Sequence, residues 1–341
     1  MKYFYSPKHI QHRSPFEVFN GDHDTAQEVP ERAVQIKKSL DLAGHKMSRE
    51  IEVVPDAILY RVHSPAYLSY LKKRCHQLAN QEYLYPSVRP YCMYSTDQHP
   101  GISDIALRGS YIFDTYTPLL RHTYEAALAS SSLAYSSAKA LLRDPSFPCY
   151  ALCRPPGHHA EHAQAGGYCY INNAAIAAET LSAHGMVAII DVDFHHGNGT
   201  QHIFYQRSDV LTVSIHADPL IKFPFYSGFT DEVGSGPGAG YNANIPLPLG
   251  TDDATYDRAL AQALEIVRRS RPNYIIIAFG ADTHVADPIG GFRLSTAYFQ
   301  QMGAHFQSLD LPTLIVQEGG YNNQYLGTNV VSFLSGFEKN I

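Results

Sequence analysis

The sequence predicts an α/β fold with a parallel sheet that is covered by helices on both faces. Three observations predict it. From about residue 124 onward, stretches typical of strands alternate with stretches typical of helices. The strand stretches are largely apolar, as expected for strands buried on both faces. Polar and glycine-rich residues cluster at or directly after the strand ends, where ligands bind in such sheets.

The first elements of this alternation lie between residues 124 and 192. The Ala- and Leu-rich residues 124–142 predict a helix. A short apolar strand at residues 150–153 ends at a Pro-Pro-Gly turn, and residues 172–183 predict a second helix. The largely apolar run at residues 186–192 predicts the next strand.

The second half of the chain continues the alternation. Strands are predicted at residues 210–215, 274–279 and 313–316, and helices at residues 253–269, 295–309 and 324–337. No internal repeat or low-complexity linker divides the sequence, so residues 1–341 are expected to form one domain. Residues 81–121 are rich in Tyr, Pro, Ser and Gly and predict a long surface loop, which in a compact domain is usually functional or disordered.

Composition argues against several classes of protein. The 26 basic and 32 acidic residues leave a formal net charge of −6, whereas a general nucleic-acid binder carries a basic face. No apolar run is long enough to span a membrane. The first residues lack the core and cleavage site of a signal peptide, and the five scattered cysteines fit reduced thiols, so a cytoplasmic location is expected.

The strongest chemical signal follows the strand at residues 186–192. Side chains alternate along an extended segment, so Asp191, Asp193 and His195 point in the same direction. Asp282 follows another predicted strand and can complete a divalent-metal site with Asp193 and His195. Two carboxylates and one neutral imidazole neutralise a dication and leave one position open, which is typical of a catalytic zinc site.

Each of these residues has a structural alternative. A lone Asp at a strand end is usually a helix cap, and a lone His is usually a hydrogen-bonded core residue. The alternative is weaker for the whole string at residues 191–197, because burying so many ionisable groups beside an apolar strand is costly without a metal. Further polar or glycine residues fall at the ends of other strands, namely His158, His159, Gly319, Gly320 and Tyr321. Residues from four strands are therefore expected to meet at one edge of the sheet.

Five motifs together carry a resemblance to a known family. They are Arg-Pro-Pro-Gly-His-His at residues 154–159, Gly-Gly-Tyr-Cys-Tyr-Ile-Asn-Asn at 166–173, Asp-Val-Asp-Phe-His-His-Gly-Asn-Gly at 191–199, Gly-Ala-Asp-Thr at 280–283 and Glu-Gly-Gly-Tyr at 318–321. In this order they resemble the signatures of the arginase–deacetylase superfamily, and they match its histone deacetylases and acetylpolyamine amidohydrolases. The resemblance covers nearly the whole chain. The length, the Asn-Asn pair and the long loop look most like the bacterial acetylpolyamine amidohydrolases.

The resemblance implies a fold and a metal. The fold is arginase-like, with one histone deacetylase-like α/β domain around an eight-stranded, mostly parallel sheet flanked by helices. Asp193, His195 and Asp282 match the zinc ligands, and iron(II) can occupy the same ligands. In this family the long loop mediates dimerisation and narrows the entrance to the site, so a homodimer is expected.

The resemblance further implies two sites for monovalent cations, K⁺ or Na⁺, near the zinc. The inner site matches Asp191, Asp193, His195, Ser214 and Ile215. The outer site uses backbone carbonyls of Phe204, Arg207, Val210 and Tyr241. Backbone ligands leave almost no trace in a sequence, so both sites depend on the resemblance alone.

Catalytic roles also follow from the resemblance. His158 and His159 match tandem catalytic histidines, and Asp191 matches the carboxylate that orients His158. His159 is the candidate for the base that takes a proton from water and later gives it to the amine. Positively charged His158 and the hydroxyl group of Tyr321 would stabilise the oxyanion. Asn198 is the residue expected to orient His159, where many histone deacetylases have Asp, so the pKa of His159 should be lower than beside a carboxylate.

The tunnel implied by the resemblance suits a slender apolar stem behind an acetyl group. Tyr168 and Phe223 match its aromatic walls, and Gly167 is placed beside them. A gatekeeper glutamate that one polyamine-selective branch uses is absent, because Ile289 stands at the corresponding position. The free end of a polyamine is cationic and favours a carboxylate or an aromatic box at the mouth.

Asp104 and Asp114 lie in the long loop and are candidates for that carboxylate, with solvated loop acids as the alternative. Two substrates fit the tunnel, an acetylated polyamine and acetyllysine in a protein or peptide. The small acetylated amine is favoured, because a bulky loop at the mouth excludes a protein surface. A non-catalytic binding module on this fold is the third alternative, which the complete ligand set and Tyr321 disfavour. An arginase-like ureohydrolase would need a second metal shell, and the sequence contains only one.

Overall fold

The computed structural model describes residues 1–19, 21–80, 82–84 and 108–338. Its strands are β1 (Lys2–Phe4), β2 (Glu17–Phe19), β3 (Asp22–Asp24), β4 (Lys46–Met47), β5 (Tyr83–Leu84), β6 (Leu119–Leu120), β7 (Cys149–Ala151), β8 (Val187–Asp191), β9 (Val210–Ala217), β10 (Asn242–Leu247), β11 (Tyr274–Phe279) and β12 (Thr313–Gln317). Its α-helices are α1 (Glu31–Leu42), α2 (Asp56–Val62), α3 (Pro65–Gln77), α4 (Arg108–Tyr111), α5 (Thr123–Arg143), α6 (Asn173–Ser182), α7 (Asn198–Phe204), α8 (Asp253–Ser270), α9 (Thr296–Gln307) and α10 (Leu326–Ser335).

Eight strands form one sheet in the order β10-β9-β8-β11-β12-β7-β1-β4. Every neighbouring pair in this sheet is parallel. The predicted α/β fold with an eight-stranded, mostly parallel sheet is therefore confirmed, and the sheet is parallel throughout. The four strands β8, β11, β12 and β7 lie next to one another near its centre, so their carboxyl ends form one continuous edge.

Alternate residues of the central strands pack into two hydrophobic cores, one on each face of the sheet. Ile189 and Ile276 belong to the core that α5 and α6 cover. Ile190 and Ile277 belong to the other core, which α1, α8, α9 and α10 cover. Because both faces of the sheet are buried, the central strands β8, β11 and β12 are largely apolar, as the sequence predicted.

All the elements predicted beyond residue 123 are present, and their ends differ from the prediction by at most two residues. Side-chain caps explain two of the differences. Asn172 and Ser295 stand just before α6 and α9, and their side chains accept hydrogen bonds from the backbone N–H groups of Ala175 and Tyr298. One α-helix and one strand in the described part of this region had not been predicted. They are α7, which spans two turns, and β10, whose Asn and Pro residues mask a strand pattern.

The amino-terminal part of the chain adds β1 and β4 to the edge of the sheet. They are three and two residues long, so no periodic pattern predicted them. The expected loop at residues 81–121 contains, in its described part, α4 and the antiparallel pair of β5 and β6. Residues 85–107, which include Asp104, lie outside the described residues. None of the helices in the described ranges is both long and apolar enough to cross a membrane.

Candidate active site

The edge formed by the ends of β7, β8, β11 and β12 carries the predicted functional residues. Each follows one of these strands, so residues far apart in the sequence come together. The side chains concerned are His158, His159, Asp193, His195, Asp282 and Tyr321. All six are buried or nearly so, which means that any charge they carry is compensated inside the protein.

The predicted metal ligands form one compact group. One ligand atom from each of Asp193, His195 and Asp282 lies within 4.8 Å of the others. His195 Nδ1 is 3.1 Å from Asp282 Oδ2 and 3.4 Å from Asp193 Oδ1. The backbone N–H of Gly319 donates to Asp193 Oδ2 at 2.8 Å, and that of Phe194 donates to Asp282 Oδ1 at 3.1 Å. These bonds fix the orientation of both carboxylates.

Two glycines leave room for the carboxylates. A Cβ atom at Gly280 would lie 2.0 Å from Asp193 Oδ2, and one at Gly319 would lie 2.5 Å from the same atom and 2.7 Å from Asp282 Oδ2. Real Cβ atoms do not come so close to other atoms. The glycines of the two strand-end motifs are therefore required by the close approach of the carboxylates.

The charges of this group favour a bound dication. Burial and the negative charge of Asp193 raise the pKa of Asp282. Burial acts in the same direction on Asp193, but His158 and His195 outweigh it and lower its pKa. Two buried carboxylates this close repel each other unless a cation lies between them. One imidazole nitrogen and two carboxylate oxygens form a ligand set that fits zinc and leaves a fourth position for water or substrate.

A second group of potential metal ligands, His158, Cys169 and Glu318, lies beside the first. Burial raises the pKa of the Cys169 thiol well above its ordinary value, and the thiol donates a hydrogen bond to the carbonyl oxygen of Gly167 at 3.2 Å. Glu318 Oε2 accepts hydrogen bonds from the backbone N–H groups of Gly157 and His158 at 2.6 and 3.1 Å. This group therefore holds the turn that carries the two histidines in place, and does not suggest a second metal.

His158 is paired with Asp191 as predicted. Its Nδ1 lies 2.9 Å from Asp191 Oδ2, and both side chains are buried. Burial alone would lower the pKa of His158, but the charges of Asp191 and Asp193 outweigh it and raise the pKa to about 10. His158 therefore carries a positive charge at neutral pH in this arrangement.

His159 is in a contrasting environment. Its Nδ1 lies 2.7 Å from Asn198 Oδ1, and its ring lies 4.0 Å from that of His158, measured between centroids. Burial and the positive charge of His158 lower its pKa well below the ordinary value. Because Asn198 Oδ1 can only accept, the proton of neutral His159 is assigned to Nδ1, which leaves Nε2 free to take a proton.

The loop that carries Tyr321 is held by residues that the sequence analysis did not identify. Arg32 donates to the carbonyl oxygens of Glu318 and Gly320, each at 2.6 Å, and its guanidinium lies 4.5 Å from the centroid of the Tyr321 ring. Asp287 Oδ2 accepts from the backbone N–H of Tyr321 at 2.7 Å. Arg32 lies on α1, almost 300 residues away in the sequence, so no local pattern could have identified it.

A cavity of about 410 Å³ opens above this group. The predicted tunnel residues Gly167, Tyr168, Phe223 and Ile289 all line it, together with His159, His195 and Tyr321. A Cβ atom at Gly167 would lie 2.2 Å from His159 Cδ2, and its φ of +55° is left-handed. Glycine is thus needed where the wall touches the second histidine.

Two carboxylates that the sequence analysis missed also line the cavity, Glu17 and Asp24 of the β2–β3 hairpin. Glu17 accepts from the Tyr168 hydroxyl group at 2.9 Å and from the backbone N–H of Gln27 at 2.5 Å, and burial raises its pKa. Asp24 is exposed. The hairpin is too short to have been recognised in the sequence.

The prediction for Asp114 requires a correction. This carboxylate does not line the cavity. Its Oδ2 accepts from the backbone N–H of Gly167 at 2.5 Å and from Thr117 Oγ1 at 2.9 Å, and burial raises its pKa to about 6. Asp114 therefore supports the tunnel wall from behind and does not face a substrate. The other candidate, Asp104, lies outside the described residues.

The monovalent-cation sites stay predictions. Residues assigned to the inner site are neighbours, because β8 and β9 pair Asp191 with Ser214. Ser214 Oγ also lies 2.8 Å from His216 Nδ1. At the outer site, the carbonyl of Phe204 accepts from the backbone N–H of Arg207, and that of Tyr241 accepts from Thr212. The Tyr241 carbonyl also accepts from Thr212 Oγ1, at 3.5 Å. A carbonyl oxygen has two lone pairs, so the single bond to Phe204 is compatible with an ion but does not require one.

Comparison with known proteins adds three findings. Residues 26–337 match the model of the histone deacetylase domain. The chain is 37% identical to acetylpolyamine amidohydrolase 2 of Pseudomonas aeruginosa and 35% identical to the acetylpolyamine amidohydrolase of Mycoplana ramosa, with 98% of this chain and at least 98% of each relative covered. Its structure is similar to the crystal structure of acetylpolyamine aminohydrolase from Burkholderia pseudomallei, with a TM-score of 0.92, 36% identity and coverage of 99% of this chain and 98% of that one.

Proposed function

Because this chain belongs to the histone deacetylase family, we propose that it hydrolyses the acetyl amide of acetylated polyamines or similar small amines, releasing the free amine and acetate. The observation that carries this proposal is that one cavity joins the catalytic groups to residues that suit a cationic substrate. A zinc-type ligand set and two differently charged histidines lie at the base of the cavity, and two carboxylates line its wall.

The proposed reaction divides the work among a few side chains. Asp193, His195 and Asp282 would hold the zinc ion, which when bound would supply the Lewis acidity that activates water and polarises an amide carbonyl. His159 Nε2 takes the proton of the attacking water and later gives it to the leaving nitrogen. The His158 imidazolium and the Tyr321 hydroxyl group face the oxygen on which negative charge develops.

The charge of the cavity supports a cationic substrate. Glu17 and Asp24 line the same cavity as His159 and His195, and the far end of an acetylated diamine or polyamine is expected to lie beside them. The rings of Tyr168 and Phe223 line the path between the zinc ligands and these acids and suit a methylene chain. Lys222 also lines the cavity. An ammonium group is therefore expected on the side of Glu17 and Asp24, away from the lysine.

A turnover screen tests this proposal directly. Acetylputrescine, acetylcadaverine, acetylspermidine, an acetyllysine peptide and an acetylated histone would be compared by kcat/KM. We expect the small acetylated amines to be preferred over the folded histone. A preference for the histone would favour the alternative of a protein deacetylase, and an inactive but zinc-loaded protein would favour a binding module.

Asp24→Asn is expected to raise KM for acetylputrescine about 2–5-fold, the size of a single exposed charge pair. The value of kcat should stay within twofold, because the distant ammonium contact is the same in ground and transition states. An acetylated n-alkylamine of equal length without the second amino group is the matched control, and its KM should not change. An equal rise for both substrates would mean that Asp24 shapes the mouth without recognising charge.

We also propose that the protein works as a homodimer in the cytoplasm. Phe19, Ile221 and Phe225 line the cavity and are exposed, so they form an apolar rim that a second copy can cover. The described cysteines Cys75, Cys149, Cys153 and Cys169 are free and buried, as suits a reducing compartment. Sedimentation equilibrium tests the dimer, and a monomer at micromolar concentration would contradict it.

A further inference from the structure

Behind the catalytic pair, a chain of hydrogen bonds leads from His159 to a carboxylate. His159 Nδ1 is 2.7 Å from Asn198 Oδ1, and Asn198 Nδ2 donates to Glu161 Oε1 at 2.9 Å. Asn198 Nδ2 also donates to the Tyr226 hydroxyl oxygen at 2.9 Å, and that hydroxyl group donates to Glu161 Oε1 at 2.8 Å. His202 Nδ1 lies 2.9 Å from the same Glu161 oxygen.

Three acceptors surround Asn198 Nδ2, namely Glu161 Oε1, the Tyr226 hydroxyl oxygen and, at the longer distance of 3.4 Å, the His159 carbonyl, and Glu161 is the one that carries a charge. An amide has one acceptor end and one donor end of nearly equal shape, so its environment must choose between two orientations. Ionised Glu161 can only accept, and it therefore binds the donor end, Nδ2. Oδ1 is then left to face His159, where it requires a proton on Nδ1.

The tautomer of His159 follows from that choice. With the proton on Nδ1, Nε2 carries the lone pair that a base needs. If the Asn198 amide were reversed, its Nδ2 would donate to His159 Nδ1, and the proton of neutral His159 would move to Nε2. A histidine in that state cannot take a proton at Nε2, so the orientation of one amide controls whether the base can work.

We propose that Glu161 is a positioning residue for the catalytic base, acting through Asn198 to hold His159 in the tautomer with a free Nε2. This inference rests on the proposed function, in which His159 is the base. Asn198 stands between His159 and the carboxylate of Glu161.

The surroundings of Glu161 hold its carboxylate ionised and fixed. Burial opposes the charge, but hydrogen bonds from His202, Tyr226 and Asn198 outweigh it and lower the pKa of Glu161. Asn198 and His202 are four residues apart on α7, so the helix presents both side chains to the carboxylate from one face. Tyr226 is close in sequence to Phe223 and ties the loop that forms the cavity wall to the same carboxylate.

Glu161→Leu tests the inference because it removes the charged acceptor of Asn198 Nδ2 without leaving a void, and it leaves the Tyr226 hydroxyl oxygen and the His159 carbonyl in place. We expect kcat to fall about 10–100-fold, the usual cost of losing an outer hydrogen-bond partner of a working histidine, with KM within twofold of wild type. Glu161→Gln keeps one acceptor oxygen and should retain kcat within about threefold. A Gln variant as impaired as the Leu variant would overturn the assignment.

A double-mutant cycle separates positioning from general structural support. In an Asn198→Ala background, the amide through which Glu161 acts is gone, so Glu161→Leu should change kcat by less than twofold. Equal losses in both backgrounds would show that Glu161 acts by another route and would overturn the proposal. Thermal unfolding and zinc content are measured for each variant, so that a folding defect is recognised as such.

The tautomer itself can be observed without turnover. In ¹⁵N-histidine NMR of the zinc-loaded protein, the His159 signals are identified by their loss in His159→Ala. Wild type should show the neutral form with Nδ1 protonated, and Glu161→Leu a mixture of both tautomers. An unchanged tautomer in Glu161→Leu would overturn the inference. If no acetylated amine is hydrolysed by wild type but the tautomer changes, the proposed function fails and the positioning role stands.

Discussion

Replacing Asp193 or Asp282 by alanine is expected to remove zinc binding and turnover together. The proposed site contains three protein ligands, so the loss of one leaves a pair that cannot compete with the buffer for the ion. The effect should exceed that of removing an ordinary buried aspartate, because each carboxylate is fixed by backbone N–H groups and faces the other ligands. Neither neighbouring glycine can supply a replacement oxygen from a side chain.

Zinc content by elemental analysis is the direct measurement for these variants. A second readout is the rise in thermal stability on adding zinc: at 100 times Kd the wild type should gain about 2.7 kcal/mol, and the variants nothing. Asp252→Ala is the control, since this aspartate caps α8 in solvent and should leave the zinc content unchanged. A ligand variant that keeps stoichiometric zinc and the full stabilisation would remove that residue from the ligand set. Loading with iron(II) would show which metal gives the higher turnover.

The central half of the sheet was predictable because its strands are buried on both faces. Such strands are continuous apolar runs, and a parallel sheet places all their carboxyl ends at one edge. This rule was sufficient to predict that Asp193 and His195, which follow β8, lie close to Asp282, which follows β11. The alternation of side chains then selected Asp193 and His195 over Val192 and Phe194, whose side chains are buried in the opposite direction, in the core.

Residues that support or line the site but do not follow the central strands could not be predicted in this way. Arg32 reaches the Tyr321 loop across 288 positions of sequence, and Glu17 lines the cavity from a hairpin of two three-residue strands. Contacts of this kind depend on tertiary packing, which a local pattern does not encode. The error over Asp114 has the same origin: acids in a loop look alike in sequence, whether they face solvent or accept hydrogen bonds from the chain behind a wall.

The surroundings of His159 could be predicted from the sequence only in part: its partner Asn198 was identified, but Glu161 was not. By resemblance, Asn198 stands where many histone deacetylases have Asp, which predicted a lower pKa for His159 than beside a carboxylate. That comparison with a carboxylate stays a prediction, because the pKa of His159 is lowered in the structure mainly by burial and by the charge of His158, whereas its hydrogen bond to Asn198 acts in the opposite direction. The carboxylate one amide further away was not predicted, because Glu161 is close to His159 in sequence but binds it only through a residue of α7.

His159→Ala is expected to lower kcat by about 10²–10⁴-fold, the usual contribution of a general acid–base group, while zinc content stays at the wild-type level. His159 Nδ1 is engaged by Asn198, and the compact zinc-ligand group does not include this histidine. Its low pKa keeps it neutral next to the His158 imidazolium, so it is the member of the pair able to accept a proton. His305→Ala, on the exposed side of α9, is the control for histidine loss.

The choice of leaving group should show that His159 also returns the proton. An amine leaves only after its nitrogen is protonated, whereas a thiol leaves as the thiolate. A thioacetate analogue of the substrate needs His159 as a base but does not need it as an acid. The kcat of His159→Ala should therefore fall less for the thioacetate than for the amide. A loss within about tenfold of wild type on the amide would mean that His158 or another group is the base. Equal losses on both substrates would confine His159 to activating the water.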